Sequence, residues 1–571
     1  GMIYLTFIWI KIAIYGLVVG RLVFGNLEPV PRLWAGIFSV SIIIQCVNFF
    51  HPINATVQVV SDIIIFGIAL FQIKKIKQDF YEMFDLFGYD EKPTLNILLI
   101  SLLFLISLFS SSARSTVTDV GFYYLQSIKW IQDCPVVPGL GNLFTRLANN
   151  SNWFITCAIF NPYWLKPAYG LNGFLFFTTI VFLLKLNINP IYDLPNKARI
   201  IFLCLAIIPM ISLYQWHIES QNTDVVVTLL LWLTIGAFLV GETGILQRTE
   251  TQYLVSFLAL FIPTIKLNYL PITAISFYYL ISAFKNRDYE KLFRIIVMGL
   301  AIYSVWCIRS VIVSGYIIFP IYQIDLFNFD WKMPKEILIN ENQLIKWWAR
   351  VPNIDTSISS TMNFKEWFWL WILNQSIINK LLLIIATTGI TLYIKDLLFK
   401  KSKEEIHLLF LFGISLIGIF ICLFTAPDLR FCYGFIFLAT AISFNEHLQK
   451  LFNYNFSCSV LKIALCAALI ANGILVAKSM DTGILFPCHN YPKSKRVKEI
   501  NGIKIYMAQS LKEAEATGGT DSLWSIWWGN SHRGIYEDRL WDADLPASPY
   551  LRKGLKLRGK TICDGFKIEP Q

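Results

Sequence analysis

Apolar stretches long enough to cross a bilayer recur along this chain, and they constrain its fold more than any other feature. Thr94 to Ser110 carries no charged residue over a membrane-scale length, and isolated charges at membrane depth are costly unless they line a wet cavity. Fourteen candidate spans of roughly 20 residues fall near 2–24, 32–50, 55–73, 94–111, 170–187, 198–215, 225–241, 252–264, 268–284, 292–312, 380–398, 407–425, 430–446 and 458–477. The expectation is an all-α polytopic membrane protein of about 14 transmembrane helices, whose acidic and basic residues gather where the stretches emerge on one side only.

Composition agrees with that class. Hydrophobic residues make up 55% of the chain, charged residues only 15%, and the mean hydropathy is +0.54, far from a soluble domain. In a soluble protein a net charge of +11 would suggest nucleic acid. Here much of the Lys and Arg sits in short loops, where it orients helices, and no nucleic-acid partner is expected. Of the 11 cysteines, Cys204, Cys422 and Cys466 lie inside apolar runs and no C-x-x-C spacing occurs. They read as packing residues, and neither metal nor cofactor is expected. The first segment lacks a small-residue cleavage site and reads as a retained helix.

Short basic loops stay cytoplasmic. The candidates are Lys74-Lys75-Ile76-Lys77, Lys285-Asn286-Arg287 with Lys291 and Arg294, Lys400-Lys401-Ser402-Lys403, and His447 to Lys450. Threading alternate sides through the spans puts all four on one face. The opposite, external face then receives 112–169, 216–224, 263–268, 313–379, 426–430 and the tail from about 479, which divides the chain into a membrane domain 1–478 and an extracytoplasmic α+β lobe 479–571. Aromatic runs at Trp347-Trp348 and Trp367 to Trp371 have the character of helices lying in the membrane interface. No G-x-x-x-x-G-K-[ST] and no G-x-G-x-x-G occurs, which disfavours a nucleotide-fuelled enzyme or pump.

The sharpest motif opens the first external loop, Thr118-Asp119-Val120-Gly121-Phe122-Tyr123-Tyr124-Leu125-Gln126-Ser127-Ile128-Lys129. A carboxylate directly after a span is partly desolvated and gains basicity, so Asp119 is the first choice for a catalytic base. Its plain alternative is a helix cap, since Thr118 and Asp119 are good capping residues. Tyr123, Tyr124, Gln126 and Lys129 follow at spacings that place some of them on one side of a helix, and make a candidate substrate-binding set.

This loop resembles the first extracytoplasmic loop of the GT-C superfamily, the polytopic glycosyltransferases that use lipid-phosphate-linked sugars. Two later segments resemble the same superfamily: Trp306-Cys307-Ile308-Arg309-Ser310 with Ser314-Gly315-Tyr316, and Ala426-Pro427-Asp428-Leu429-Arg430-Phe431. The resemblance implies that Asp119 matches the carboxylate that activates the acceptor or lies beside the reacting centre. The sequence departs from the family pattern in placing three spans before the Asp119 loop and in lacking a paired Asp-Glu after Asp119.

The chemistry can also be argued from residues alone. Transfer from a polyprenyl-phosphate sugar needs a base for the acceptor hydroxyl and cations for the leaving phosphate near the external membrane boundary. Arg309 and Arg430 sit at span ends, where guanidinium holds phosphate bidentately, and Lys266 is a third candidate cation. Snorkelling to headgroups is the plain alternative for all three; Asp428 joins the candidate substrate-binding residues, with a local turn-stabilising pair with Arg430 as its alternative. Asp224 begins the helix after the polar loop Trp216 to Asp224, as an N-cap supported by Thr223 or as a second, catalytic carboxylate facing the site. His217, Glu219 and Asp224 lack a strong metal-ligand spacing. Cys488 and Cys563 in the tail are candidates for a disulfide, the stretch Ser510 to Ala516 reads as helix, Ile503 to Met507 reads as strand, and Trp524, Trp527 and Trp528 are candidates for stacking on sugar rings.

The reading is therefore a bacterial inner-membrane, GT-C-like glycosyltransferase with a lipid-phosphate-linked sugar donor, membrane lipids around it and an unidentified acceptor. The competing readings are a transporter or flippase of lipid-linked glycan, which would call for repeated halves and broken helices, and a noncatalytic assembly subunit.

Overall fold

The computed structural model describes residues 1–88, 93–113, 115, 117–164, 170–212, 216–243, 248–352, 354–399, 405–451, 467, 491, 496–507 and 539–569. The chain begins with α1 (Met2–Phe24), α2 (Pro29–Asn48), α3 (Ala55–Phe71), α4 (Ile73–Phe84) and α5 (Pro93–Ser111). The first long loop holds α6 (Leu125–Asp133), α7 (Leu140–Leu143) and α8 (Asn152–Phe160). Next come α9 (Leu171–Ile188), α10 (Asn196–Ile211), α11 (Thr223–Glu242), α12 (Arg248–Ile265), α13 (Ala274–Lys285) and α14 (Tyr289–Ser314). A second long loop holds α15 (Lys335–Arg350), α16 (Thr356–Ser359) and α17 (Phe364–Asn374), before α18 (Ile377–Phe399), α19 (Ile406–Thr425) and α20 (Tyr433–Leu451).

Nine helical segments among the described residues are long and apolar enough to cross a membrane, or ten if α3 and α4, which meet at 89°, are taken as one broken span. Helices also stand within the described part of the expected positions 198–215, 252–264 and 430–446. Of these, α10 is only 16 residues long, α12 opens on Arg248 and Glu250, and α20 closes on Glu446 and His447. The expected span 458–477 lies outside the described residues apart from Ala467.

Residue chemistry explains the packing. Helices α9 and α11 have no polar face along their membrane-length stretches, which are buried throughout, as such helices must be. At the α1–α2 crossing, Gly16 lets backbones touch: a Cβ there would sit 2.6 Å from the Leu33 carbonyl oxygen. Helix α14 starts where the Asp288 carboxylate accepts from the Lys291 N–H (3.1 Å) and stops at Gly315 in the left-handed region.

Links between helix termini sort the bundle into two ends. At one, Asn48 Nδ2 donates to the Cys134 carbonyl (3.2 Å), Asn172 Nδ2 to that of Asn222 (3.0 Å) and Asn268 Nδ2 to that of Phe431 (2.6 Å). At the other, Lys185 meets Glu28 (3.0 Å), Lys197 meets Glu446 (3.1 Å), and buried Asp79 pairs with Arg32 (2.6 Å) and Arg21. The expected grouping of the loaded loops at one end is thus present. The expectation that charge gathers on one side alone is corrected: the second end buries its own ion pairs, which fasten α4 and α9 to the α1–α2 turn.

The lobe is β-structured where it is described. β1 (Arg496–Ile500) and β2 (Ile503–Met507) pair antiparallel around Asn501-Gly502, both at positive φ, the turn that an Asn-Gly pair favours. β3 (Leu555–Leu557) pairs with β4 (Phe566–Ile568). The strand expected at Ile503 to Met507 is β2. The helix expected at Ser510 to Ala516, the three tail tryptophans and Cys488 lie outside the described residues. Cys563 is bonded to Cys134 on the first long loop, not to Cys488; spacing within the tail could not reveal a partner 429 residues away.

Candidate active site

Sequence-distant loops enclose a cavity of about 1570 Å³ at the loop-bearing end of the bundle. Asp119 reaches it because the segment after α5 turns into a π-helical turn, Val120–Tyr124, that runs on into α6. Such widened turns frequently mark functional positions. Asp119 makes no side-chain hydrogen bond to the helix start, so the capping alternative is not what holds it. Its negative charge acts on Arg430, Arg146 and Lys266. Tyr123 and Tyr124 line the cavity beside it, their rings 4.6 Å apart. Burial first, then the charge of Asp119, raises the Tyr123 phenol above its ordinary range, which keeps it a neutral donor.

The same helix turns Gln126 and Lys129 elsewhere. Gln126 Nε2 donates to the carbonyls of Trp541 (2.9 Å) and Ala543 (3.0 Å), and Lys129 meets Asp542 (3.3 Å) and Asp544 (3.4 Å). Both anchor the lobe and are absent from the cavity lining, a correction to their reading as substrate-binding residues. Sequence spacing put them on a helix, but the partner that occupies one face comes from the far end of the chain.

Across the cavity lie the cations. The Asn222 side chain, not Asp224, caps α11, accepting from the Asp224 N–H (2.9 Å). This corrects the N-cap reading of Asp224 and leaves its carboxylate to contact the Lys266 ammonium. Lys266 occupies the extended residue between α12, which already contains Pro263, and the 3-10 turn Leu267–Thr273. Its ammonium lies 4.0 Å from the centre of the Phe431 ring. Burial, and next the Arg430 charge, lowers Lys266 to about 7. Arg430 Nε lies 2.9 Å from Asp428 and 3.9 Å from Asp224, with its guanidinium 5.3 Å from the centre of the Trp348 ring. Burial opposes its charge, but Asp428 and Asp119 outweigh burial and raise its pKa, so it is a permanent cation.

Arg309 is not in the cavity lining. Its Nη1 donates to Asn48 Oδ1 at 2.8 Å, tying α14 to the end of α2, so the expectation that Arg309 and Arg430 share a cavity with Asp119 holds for Arg430 alone. The second arginine is Arg146, in a 3-10 turn of the first loop, paired with Glu341 of α15 at 2.8 Å. The sequence reading missed Arg146, Glu341, Trp348, Arg539 and Tyr550, all of which line the cavity. Glu341, a carboxylate on the buried face of an amphipathic helix, is a signal that could have been read.

Apolar residues complete the wall. Ile208 and Ile211 of α10, Leu381, Leu382 and Ile385 of α18, and Ile421 of α19 face the same space. Helix α18 is largely exposed outside the bundle. The tryptophan helices roof this region: Trp347, Trp367 and Trp371 are buried, Trp369 is exposed, and Trp371 Nε1 donates to the Pro427 carbonyl (2.6 Å) next to Asp428. No group of three or more metal-ligating side chains is present among the described residues.

Fold and site together define a helical membrane-spanning protein with a large amphipathic cavity at one end of its bundle. The chain belongs to the family described as Domain of unknown function (DUF8201), whose model matches residues 2–437. The matched region contains Asp119, Asp224, Lys266, Asp428 and Arg430 and stops short of the lobe. No curated protein and no solved structure matches the chain.

Proposed function

We propose that this protein is a membrane glycosyltransferase of GT-C type, transferring a sugar or glycan from a polyprenyl-phosphate-linked donor to an acceptor at the extracytoplasmic face of a bacterial inner membrane. The observation that carries the reading is one cavity with a charged floor, Asp119, Asp224, Lys266, Asp428 and Arg430, and an apolar wall from α10, α18 and α19. A lipid phosphate has that same division between charged head and apolar tail. The bond between Cys134 and Cys563 supports an oxidising, extracytoplasmic side for this end. The fourteen-span topology adds α3, α10, α12, α20 and 458–477 to the nine long apolar segments.

In the reaction, Asp119 takes the proton of the acceptor hydroxyl while the acceptor oxygen bonds to the anomeric carbon. The bond from that carbon to the phosphate oxygen breaks, and its electron pair leaves on the polyprenyl phosphate. Arg430 and Lys266 offset that charge. Asp224 and Asp428 hold the two cations in place and are positioning residues. Membranes containing the full chain should convert a polyprenyl-phosphate-linked hexose to free polyprenyl phosphate, and membranes with Asp119→Asn should not. No conversion by either refutes the proposal, and equal conversion by both removes Asp119 as its base.

A further inference from the structure

The cavity has a second wall, supplied by the C-terminal lobe, which the family match does not cover. Arg539, Pro549 and Tyr550 line the cavity from that side. The lobe is fastened to the loop that carries Tyr123 and Arg146 by the disulfide from Cys134 to Cys563 and by the backbone bond from Trp541 N–H to the Gly121 carbonyl (2.8 Å). Gly121 is needed for that approach: a Cβ there would meet the Trp541 ring and the Arg539 side chain at 2.9 Å.

Arg552 and Tyr550 of the lobe reach the turn that bears Arg146. Arg552 Nη1 donates to the carbonyls of Gly141 (3.1 Å) and Asn142 (2.9 Å). Its Nη2 donates to Thr145 Oγ1 (2.7 Å) and Tyr550 Oη (2.8 Å), and Tyr550 Oη also accepts from the Thr145 N–H (3.2 Å). Thr145 immediately precedes Arg146, so the lobe fixes where that guanidinium enters the cavity. With Arg146 from the adjoining first loop, this wall presents two guanidinium groups and the Tyr550 phenol. The phosphate-binding cations Lys266 and Arg430 and the apolar helices belong to other elements.

We infer that the lobe wall, Arg146 with Arg539 and Tyr550, is the subsite for the hydroxyl-bearing saccharide of the donor, with Arg552 as its positioning residue. The inference rests on the proposed lipid-phosphate donor and divides its recognition in two. Lys266, Arg430 and the apolar helices take phosphate and tail; the lobe wall takes the sugar, through hydrogen bonds that planar, multi-donor guanidinium groups make well.

Two probes separate the halves. Farnesyl phosphate carries phosphate and tail; farnesyl-phosphate-linked hexose adds the sugar. Binding of each to the full-length protein in nanodiscs should show the hexose probe the tighter. Tyr550→Phe, Arg539→Gln and Arg146→Gln should each weaken the hexose probe about tenfold, the scale of a lost hydrogen bond to a charged or buried group, and leave farnesyl phosphate within about twofold. Arg552→Ala should act like the wall variants, and Arg552→Lys should restore part of the loss. Wild-type protein that binds both probes equally overturns the subsite while sparing the donor assignment. Wall variants that weaken both probes alike show a structural role and overturn it too. Wild-type protein that binds neither probe removes the donor assignment itself.

Discussion

Arg430 is held between two carboxylates from different segments, its Nε 2.9 Å from Asp428 two residues back and 3.9 Å from Asp224 more than two hundred residues earlier. A local pair would only stabilise a turn. The second contact brings the start of α11 to the 426–431 segment, and with Lys266 beside Asp224 it forms one compact cluster of two cations and two carboxylates. Cations already fixed by neighbouring carboxylates need little reorganisation to receive a phosphate, the condition under which electrostatic stabilisation is most effective.

Arg430→Lys keeps the charge and loses the planar fork and its packing near Trp348. Farnesyl phosphate affinity should fall by about tenfold, or about 1.4 kcal/mol, while Arg309→Lys should change it little because Arg309 bonds Asn48 instead. Equal losses in the two variants would place the phosphate elsewhere.

Lys266 gives binding a pH dependence. With its pKa lowered to about 7, the ammonium is charged and able to hold phosphate below that pH and loses its proton above it. Farnesyl phosphate itself gains charge over part of this range, so the quantity to follow is the ratio of wild-type to Lys266→Arg affinity. That ratio should decline between pH values of about 6 and about 8.5. A flat ratio in calorimetric titrations would mean that Lys266 does not titrate in the site.

Asp119→Asn removes the base and preserves size. Sugar transfer should drop by roughly 100-fold or more, with farnesyl phosphate binding and thermal unfolding close to wild type. Normal transfer by this variant would reduce Asp119 to a bystander.

Lys129→Met, which breaks the pairs with Asp542 and Asp544, should speed amide exchange in 126–148 and 540–552. The double variant Cys134→Ser, Cys563→Ser should do so more strongly, since a covalent clamp across the longest separations constrains most. Unchanged exchange in both would mean that the lobe is held by other contacts.

Cysteines introduced at the exposed positions 340 and 553 should react with an impermeant maleimide from outside intact cells, and one at 287, exposed at the other end, should not. Labelling at 287 would reverse the bundle and with it the assignment of the loaded end.

Much of the helical framework was legible in the sequence, because a run of apolar residues has one stable conformation in hydrocarbon and its length is set by the bilayer. Asp119, Tyr123, Tyr124, Asp224, Lys266, Asp428 and Arg430 were legible for a related reason: polar residues at span ends stand out against an apolar background. What the tertiary structure decided is which way each side chain turns and what it meets. Gln126 and Lys129 share a helix with Tyr123 and Tyr124, yet one face meets the cavity and the other meets a lobe more than 400 residues away. Arg309, expected in the cavity, is claimed by Asn48, and Arg146, which no sequence signal marked, lines the cavity paired with Glu341. Cys563 finds Cys134 for the same reason. Hydropathy is a local property that a window of sequence contains, whereas pairing between distant loops depends on how the helices pack, and no single segment carries that information.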